Sequence, residues 1–337
     1  MKNRKTNGSM LWRSVLAGVL AVSVMLALSG CGLLPTGKQS ATLSPTMAPT
    51  STPEPTAEPT PEPTPEPTPE PTPEPVFPDA FTICVSGIDS REGLVDKSYS
   101  DVNTLITVNR ATKQILVVTT PRDAYVPLSI SDGVRDKLTH SGQFGIDVQV
   151  GTLEMLYDLD VDYWFRLDFT CFKDIIDALG GVTVYSDYTF TSFNGYDFYE
   201  GENTLNGAEA LAFARERKSF SEGDIQRGRH QMKLIEAMIG KVLSVDFLTR
   251  YTDILDTLEG RFETTIPYDL LATLVREQLA DGGDWNVTCY EVVGTLDLQV
   301  TYSEPDLGEV YVMWLDDDAV ATARDMIARV RDGEILP

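Results

Sequence analysis

Residues 100–123, SDVNTLITVNRATKQILVVTTPRD, contain two runs rich in β-branched residues on either side of a polar turn. The first run, 102–108, roughly alternates apolar and polar residues, as a half-buried strand does. The turn at 109–112 precedes a second β-rich run at 114–119, so the pair predicts a hairpin. An apolar run at 81–85 predicts a third strand just upstream. An early hairpin of this kind argues against a purely parallel sheet.

Helical and strand patterns interleave through the rest of the chain. The clearest apolar stripe at helical spacing lies in 224–243, and the pair Gly180–Gly181 ends a shorter predicted helix at 172–179. The remaining predicted helices are 146–158, 207–214, 247–259, 268–280 and 317–331, and the remaining predicted strands are 163–169, 182–185, 285–293 and 309–314. This succession predicts an α/β fold, a single layered α/β/α domain with a mixed, largely antiparallel central sheet.

Residues 1–31 have the pattern of an export signal. Four basic side chains precede an uncharged run at 14–30, which ends in the string LSGC at 28–31. That string resembles a bacterial lipobox, in which Cys31 would be lipidated. The uncharged run also reaches the lower length limit of a membrane-spanning helix. A lipoprotein anchor and a single N-terminal transmembrane helix therefore both remain open, and either one places the rest of the chain on the extracytoplasmic face of the cell membrane.

Residues 32–78 are predicted to form a disordered linker rich in Pro, Thr and Glu. Of the 20 prolines, 15 fall between residues 35 and 78, and a PEPT repeat runs from 53 to 75. Such a segment has few apolar side chains to bury, so it cannot offset the entropy lost on ordering. The folded part of the chain is therefore expected to begin near residue 79.

The strongly negative charge of the chain makes its clustered arginines conspicuous. The formal net charge is -24, which makes nucleic acid and anionic lipid head groups poor partners. Even so, Arg215, Arg217, Arg227 and Arg229 lie within fifteen residues, and Arg122 lies shortly after a predicted strand. Guanidinium groups match phosphate oxygens with fixed, paired donors. The cluster indicates a phosphate or pyrophosphate site, although ion pairs with surface carboxylates would use the same residues.

Two aspartates lie at neighbouring predicted strand ends. Asp89 follows the first strand and Asp101 precedes the second, so the pair can share a hard cation such as Mg²⁺ or simply cap turns. An apolar cleft beside the arginines would suit a lipid pyrophosphate. Its predicted lining, which is equally compatible with plain core, is Leu116, Val118, Ile176, Leu179, Met232, Ile235 and Ile239.

Seven motifs in order resemble the LytR-CpsA-Psr (LCP) family of cell-envelope glycopolymer ligases. They are GIDSR (87–91), SDVNTLITVN (100–109), VVTTPRDAYV (117–126), RDKLTH (135–140), FKDIIDALGGVTV (172–184), LNGAEALAFARER (205–217) and GDIQRGRHQ (223–231). The resemblance implies a catalytic core over 79–245 and a C-terminal extension, 246–337, packed on the same domain. Two departures are Tyr99, where many members carry Arg, and His230, where many carry Arg or Asn.

The resemblance also implies an activity. Family members are membrane-anchored, Mg²⁺-dependent phosphotransferases that move a glycopolymer, teichoic acid-like or capsular, from a polyprenyl-pyrophosphate carrier to peptidoglycan. By motif position the metal would be held by Asp89 and Asp101. The catalytic set would be Asp101, Arg122, Arg215 and Arg217, and the pyrophosphate-binding set Arg122, Arg215, Arg217, Arg227, Lys137 and Gln231. Asp101 could alternatively be the base that takes the proton of the acceptor hydroxyl, and the sequence leaves this open. The alternatives are a non-catalytic envelope lipid- or polymer-binding lipoprotein and a polyprenyl-pyrophosphate hydrolase.

Overall fold

The computed structural model describes residues 76–88, 90, 97–221, 223–244, 258 and 260–337. The predicted anchor with Cys31, nearly all of the predicted linker, Asp89 and most of the predicted helix at 247–259 lie outside these residues.

Strands make up much of the described chain. In order they are β1 Ala80–Ile88, β2 Ser100–Asn109, β3 Gln114–Thr119, β4 Tyr125–Pro127, β5 Arg135–Lys137, β6 Tyr163–Asp168, β7 Val182–Ser186, β8 Phe190–Thr191, β9 Asp197–Phe198, β10 Gly201–Leu205, β11 Phe262–Thr264, β12 Asn286–Glu291, β13 Gly294–Val300 and β14 Glu309–Leu315.

Six of these strands form the central sheet, in the order β11–β6–β1–β2–β3–β12. Strands β1, β2 and β3 form an antiparallel meander, and β11 is antiparallel to β6. Strand β6 runs parallel to β1, and β12 runs parallel to β3. The predicted mixed, largely antiparallel sheet and its early hairpin are therefore confirmed.

The described α-helices lie close to their predicted positions. They are α1 Ile146–Tyr157, α2 Phe169–Ala178, α3 Gly207–Arg215, α4 Asp224–Val242, α5 Tyr268–Asp281 and α6 Asp317–Arg331, with 3-10 helices at Leu138–Phe144 and Pro305–Leu307. Gly180 and Gly181, which follow α2, both have positive φ, as a helix stop of this kind requires. No helix of the described ranges combines the length and the apolar character needed to cross a membrane.

Two apolar cores, one on each face of the sheet, give the domain its three layers. Helices α2 to α5 contribute side chains such as Ile176, Phe213 and Leu274 to one core. Helices α1 and α6 contribute Leu153 and Ile327 to the other. Strand β3 supplies both cores, because neighbouring residues of a strand point to opposite faces. The predicted layered α/β/α architecture is confirmed.

The C-terminal region completes the central sheet. Strand β12 forms one edge of the sheet, and α6 covers the core beneath β1, β2 and β3. The side-chain amide of Asn109 donates to the backbone oxygen of Val330 at 2.8 Å, and the backbone N–H of Leu336 donates to Gln114 at 2.8 Å. These buried bonds join the end of the chain to the meander.

Strands β13 and β14 pair with each other outside the central sheet. The sequence predicts only the second of them. Residues 295–300, TLDLQV, alternate polar and apolar side chains, so the strand signal was present in the sequence but was missed. In the structure most residues of β13 are exposed, including Leu296 and Leu298. The hairpin is joined to the domain through a bridge between Ala124 and Met313.

Candidate active site

A cleft of about 380 Å³ lies between the sheet and helices α2, α3 and α4. Its walls are mainly apolar, from strands β1, β2 and β6 and from the three helices: Val85, Val102, Ile106, Phe165, Leu167, Phe169, Phe172, Leu211, Leu234, Ile235, Met238 and Ile239. Its polar lining includes Asp101, Arg122, Asp168, Arg215, Arg217, Arg227 and Gln231. Six of these seven residues, all except Asp168, belong to the predicted site. Lys137 is the one described member of the predicted site that does not line the cleft.

The predicted apolar lining is correct in part. Ile235 and Ile239 line the cleft. Leu116 and Val118 instead belong to the core on the opposite face of the sheet. Strand β3 is buried along its whole length, so its sequence does not show which residues face which core. The other predicted lining residues, Ile176, Leu179 and Met232, lie in or against the core on the cleft side of the sheet and do not line the cleft.

Helix α3 carries Arg215 at its C-terminal end, where a cation is favoured by the helix dipole. The helix begins with a capping box, in which Asn206 accepts from the backbone N–H of Glu209 at 3.0 Å and the Glu209 side chain accepts from Asn206. The Arg215 guanidinium lies 4.3 Å above the ring of Phe169. Among the described residues Arg215 makes no ion pair, so the alternative of surface carboxylate pairing does not hold for it.

The Arg122 side chain is held between carboxylates. Its Nη1 donates to Asp101 Oδ1 at 2.9 Å, and its Nε lies 3.6 Å from Asp123 Oδ2. The two partners of the shorter contact are 26% and 18% exposed, so water screens this pair less than a surface ion pair. Arg122 and Asp101 therefore form a fixed, oppositely charged pair in the lining of the cleft.

Lys137 lies behind this pair, outside the residues that line the cleft. Its Nζ is 2.9 Å from Asp123 Oδ1. Since Asp123 also faces Arg122, the lysine acts on the cleft through Asp123 in this arrangement. Its predicted role in holding pyrophosphate remains a prediction. Gln231 does line the cleft, from helix α4.

Asp168 is a cleft residue that the sequence analysis missed. It ends β6, and its Oδ1 accepts from the backbone N–H of Cys171 at 2.7 Å, so it also caps α2. Its neighbour across the parallel pair is Ile88, the last residue of β1. An aspartate near the end of the predicted strand at 163–169 was the available signal, since strand ends commonly carry binding residues.

Tyr99 and His230, the two residues that depart from the family pattern, do not line the cleft. The Tyr99 hydroxyl donates to Glu304 at 2.7 Å, outside the cleft. His230 is buried and stacks on Phe213 with 4.1 Å between ring centroids. Its Nδ1 lies 3.1 Å from the backbone oxygen of Phe213. His230 therefore belongs to the aromatic core behind the cleft.

The burial of His230 predicts an acid-sensitive contribution to stability. Burial lowers its pKa from 6.5 to about 4, so between these values the unfolded chain binds a proton that the folded chain does not. Stability from this residue is complete above about pH 6.5 and is lost as the pH falls towards 4, by about 3 kcal/mol at most. In His230→Asn, urea unfolding across this range should show a flatter dependence on pH. An unchanged slope would contradict this assignment.

The cleft supplies oxygen donors of the kind that Mg²⁺ prefers. Asp101 presents a carboxylate in the cleft, and its predicted partner Asp89 follows Ile88, which pairs with Ser100 beside Asp101. Within the described residues there is no cluster of three or more His, Cys, Asp or Glu side chains suited to a metal. A hard cation that takes one or two protein carboxylates and further ligands from a phosphate fits this donor set.

The fold and the site together define an α/β protein whose apolar cleft has arginines and one paired aspartate in its lining, which suits an amphipathic anion. The LytR_cpsA_psr family model matches residues 61–312, and the chain belongs to this family. The predicted family resemblance is therefore confirmed.

Relatives of known structure or curated name agree with this assignment. The polyisoprenyl-teichoic acid–peptidoglycan teichoic acid transferase TagU of Bacillus licheniformis is 38% identical over 192 residues, 57% of this chain and 61% of the relative. The match thus spans about three fifths of that relative's length. The crystal structure of B. subtilis TagU is similar with a TM-score of 0.56 and 28% identity, covering 77% of this chain and 100% of that one. A structure of TagT bound to LI-WTA has a TM-score of 0.58 and 27% identity, covering 76% and 91%.

Proposed function

We propose that this protein is an extracytoplasmic phosphotransferase that moves a glycopolymer from a polyprenyl-pyrophosphate carrier to peptidoglycan. The observation that carries the proposal is the apolar cleft with Arg122, Arg215, Arg217 and Arg227 in its lining. A polyprenyl chain matches the apolar walls, and a pyrophosphate matches the guanidinium groups. The similarity to relatives named as teichoic acid transferases supports the same activity.

In this proposal the arginines perform most of the catalysis. They hold the pyrophosphate and stabilise the negative charge that develops on the departing lipid phosphate. An acceptor sugar hydroxyl attacks the phosphorus that carries the glycopolymer, and the lipid phosphate leaves in line. Arg122 is suited to the developing charge, because it is partly shielded from water and already fixed by Asp101.

We further propose that the activity depends on Mg²⁺. Asp101, together with Asp89, would hold the ion. When bound, the ion would neutralise charge on the phosphate oxygens. The carboxylate of Asp101 would then be shared between the ion and Arg122, which its two oxygens allow.

The proposed location is the outer face of the cell membrane. The basic residues, the uncharged run and Cys31 support either a lipid anchor or a transmembrane anchor at the N-terminus. The proline-rich segment that follows would then space the domain from the membrane. The proposed partners are the lipid-linked glycopolymer, peptidoglycan and the membrane, and the net charge of -24 argues against nucleic acid.

A product analysis tests the proposed function. The full chain in detergent would receive a synthetic polyprenyl-pyrophosphate glycan and peptidoglycan fragments, with EDTA or with Mg²⁺. We expect lipid phosphate and a glycan–peptidoglycan phosphodiester, formed only with Mg²⁺ and about 10²-fold more slowly by Arg215→Ala.

Other products would contradict the proposal in distinguishable ways. Free glycan phosphate in place of the phosphodiester would identify a hydrolase. Tight binding of the lipid-linked glycan without release of lipid phosphate would identify a non-catalytic binding protein. Transfer at the same rate in EDTA would contradict the Mg²⁺ dependence alone.

A further inference from the structure

A second, smaller crevice of about 60 Å³ lies beside the cleft. It shares four polar residues with the cleft: Asp101, Arg122, Arg227 and Gln231. The rest of its lining comes from the end of β3 and the segment after it, from Gly228 of helix α4, from residues 291–294 and from Met313. The cleft lies over strands β6, β1 and β2, and the crevice lies over strands β2, β3 and β12. The shared polar residues therefore lie between the cleft and the crevice.

Glu291, the last residue of β12, places a carboxylate in this crevice. Its side chain is half-buried and lies against helix α4 at Gly228. A Cβ at position 228 would overlap Glu291 Oε1, so a larger residue there would push the end of the Glu291 side chain out of its present position. Glycine in the interior of a helix is less favourable than alanine by about 0.8–1 kcal/mol. The helix thus accommodates the carboxylate at some expense to its own stability.

The Glu291 carboxylate has free bonding capacity. In the part of the chain that the structure describes, it makes no hydrogen bond or ion pair. Burial raises the pKa of Glu291 above its usual value, and the charge of Arg229 opposes that rise. A half-buried carboxylate that receives no hydrogen bond from the protein can accept one from a bound ligand. Asp101, by contrast, already accepts from Arg122 at 2.9 Å.

We propose that the crevice is the subsite for the acceptor hydroxyl and that Glu291 is the base that takes its proton. This inference rests on the proposed transferase function. An in-line displacement needs the attacking and leaving oxygens on opposite sides of the phosphorus. If the lipid lies in the apolar cleft and the pyrophosphate lies among the shared arginines, the side opposite the lipid is the crevice.

The proposed step balances as follows. The O–H bond of the acceptor breaks, and its proton goes to a carboxylate oxygen of Glu291. The acceptor oxygen forms a bond to the phosphorus that carries the glycan, while the bond from that phosphorus to the bridging oxygen breaks. The electron pair of that bond leaves with the lipid phosphate, and Glu291 later releases its proton to solvent. No oxidant, reductant or further reactant is required.

The direct test is Glu291→Gln in the full chain, assayed with the same donor and peptidoglycan fragments. The amide keeps the size of the side chain but is a far poorer proton acceptor. We expect the transfer rate at saturating acceptor to fall about 10²-fold. We expect the dissociation constant of a non-reactive polyprenyl-pyrophosphate analogue to stay unchanged. The matched control is Glu309→Gln, at an exposed position outside both spaces, with wild-type rates.

The outcomes separate this inference from the proposed function. Wild-type protein that binds the donor but never transfers it overturns both. Wild-type transfer that survives Glu291→Gln, with an unchanged pH–rate profile, overturns only the role of Glu291. Loss of donor binding in Glu291→Gln also overturns it, because the residue would then support the donor site.

A second variant displaces the carboxylate without altering Glu291. Gly228→Ala should slow transfer, because the added methyl group takes the place of Glu291 Oε1, while the helix itself becomes no less stable. In a Glu291→Ala background the same change should have no further effect on the rate. An equal loss in both backgrounds would show independent action and would overturn the proposed contact.

Discussion

Arg122→Ala is expected to lower the rate of glycopolymer transfer about 10³-fold, at the upper end of the loss seen when one charge-stabilising donor is removed. Arg122 lines both the cleft and the crevice, so it lies where the proposed lipid phosphate, glycan phosphate and acceptor meet. Its removal also leaves Asp101 without the donor that now lies at 2.9 Å. An unpaired carboxylate in that position would repel the pyrophosphate.

Steady-state transfer and donor affinity measure this effect. Arg261→Ala is the matched control, because that arginine pairs with Asp174 at 3.0 Å and lines neither the cleft nor the crevice. Arg122→Lys should recover a minor part of the rate, since lysine restores the charge but not the paired donors. A folded Arg122→Ala variant with more than a tenth of wild-type activity would contradict this role.

Phe213→Ala is expected to reduce the free energy of unfolding by about 3–5 kcal/mol. Phe213 is fully buried in helix α3, and its ring packs against those of Phe198 and His230 at centroid distances of 5.2 and 4.1 Å. Truncation would leave a cavity among rings that cannot close around it. For a domain of this size the melting temperature should fall by about 10 °C.

Calorimetry and urea unfolding test this expectation. Phe193→Ala makes the same chemical change on a ring that is 75% exposed, and it should alter the unfolding free energy by less than about 1 kcal/mol. Since Phe213 precedes Arg215 by two residues on the same helix, folded Phe213→Ala protein should also transfer more slowly. A loss of stability below about 1 kcal/mol would mean that the aromatic core relaxes to fill the space.

Much of the fold can be predicted from local patterns. The β2–β3 hairpin follows from alternation and a polar turn, and α6 was predicted at its observed bounds, 317–331. Strand β13 was missed although residues 295–300 alternate polar and apolar side chains, so the missed strand is a failure to use an available signal. The side of the sheet on which Leu116 and Val118 lie was predicted wrongly. Strand β3 is buried on both faces, so its sequence periodicity does not show which residues face which core.

The candidate site likewise contains residues that the sequence predicts and residues that only the structure reveals. The arginines stood out because they are clustered in an acidic chain, and the cleft adds Arg122, from a distant segment, to the clustered Arg215 and Arg227. Glu291 gave no such signal, since one more acidic residue in this chain is unremarkable. Only the parallel pairing of β12 with β3 and the glycine at 228 set it apart.

The position of α6 has a consequence for the order of folding. The meander β1–β2–β3 can form early, because its strands are adjacent in the chain. Its edge partner β12 and its covering helix α6 come from the last fifth of the sequence. A chain that emerges N-terminus first therefore exposes an apolar sheet face and an open strand edge until its synthesis is almost complete. Such an intermediate is slow to bury its surface and prone to aggregate, so a protein ending before residue 286 should depend on chaperones rather than fold alone.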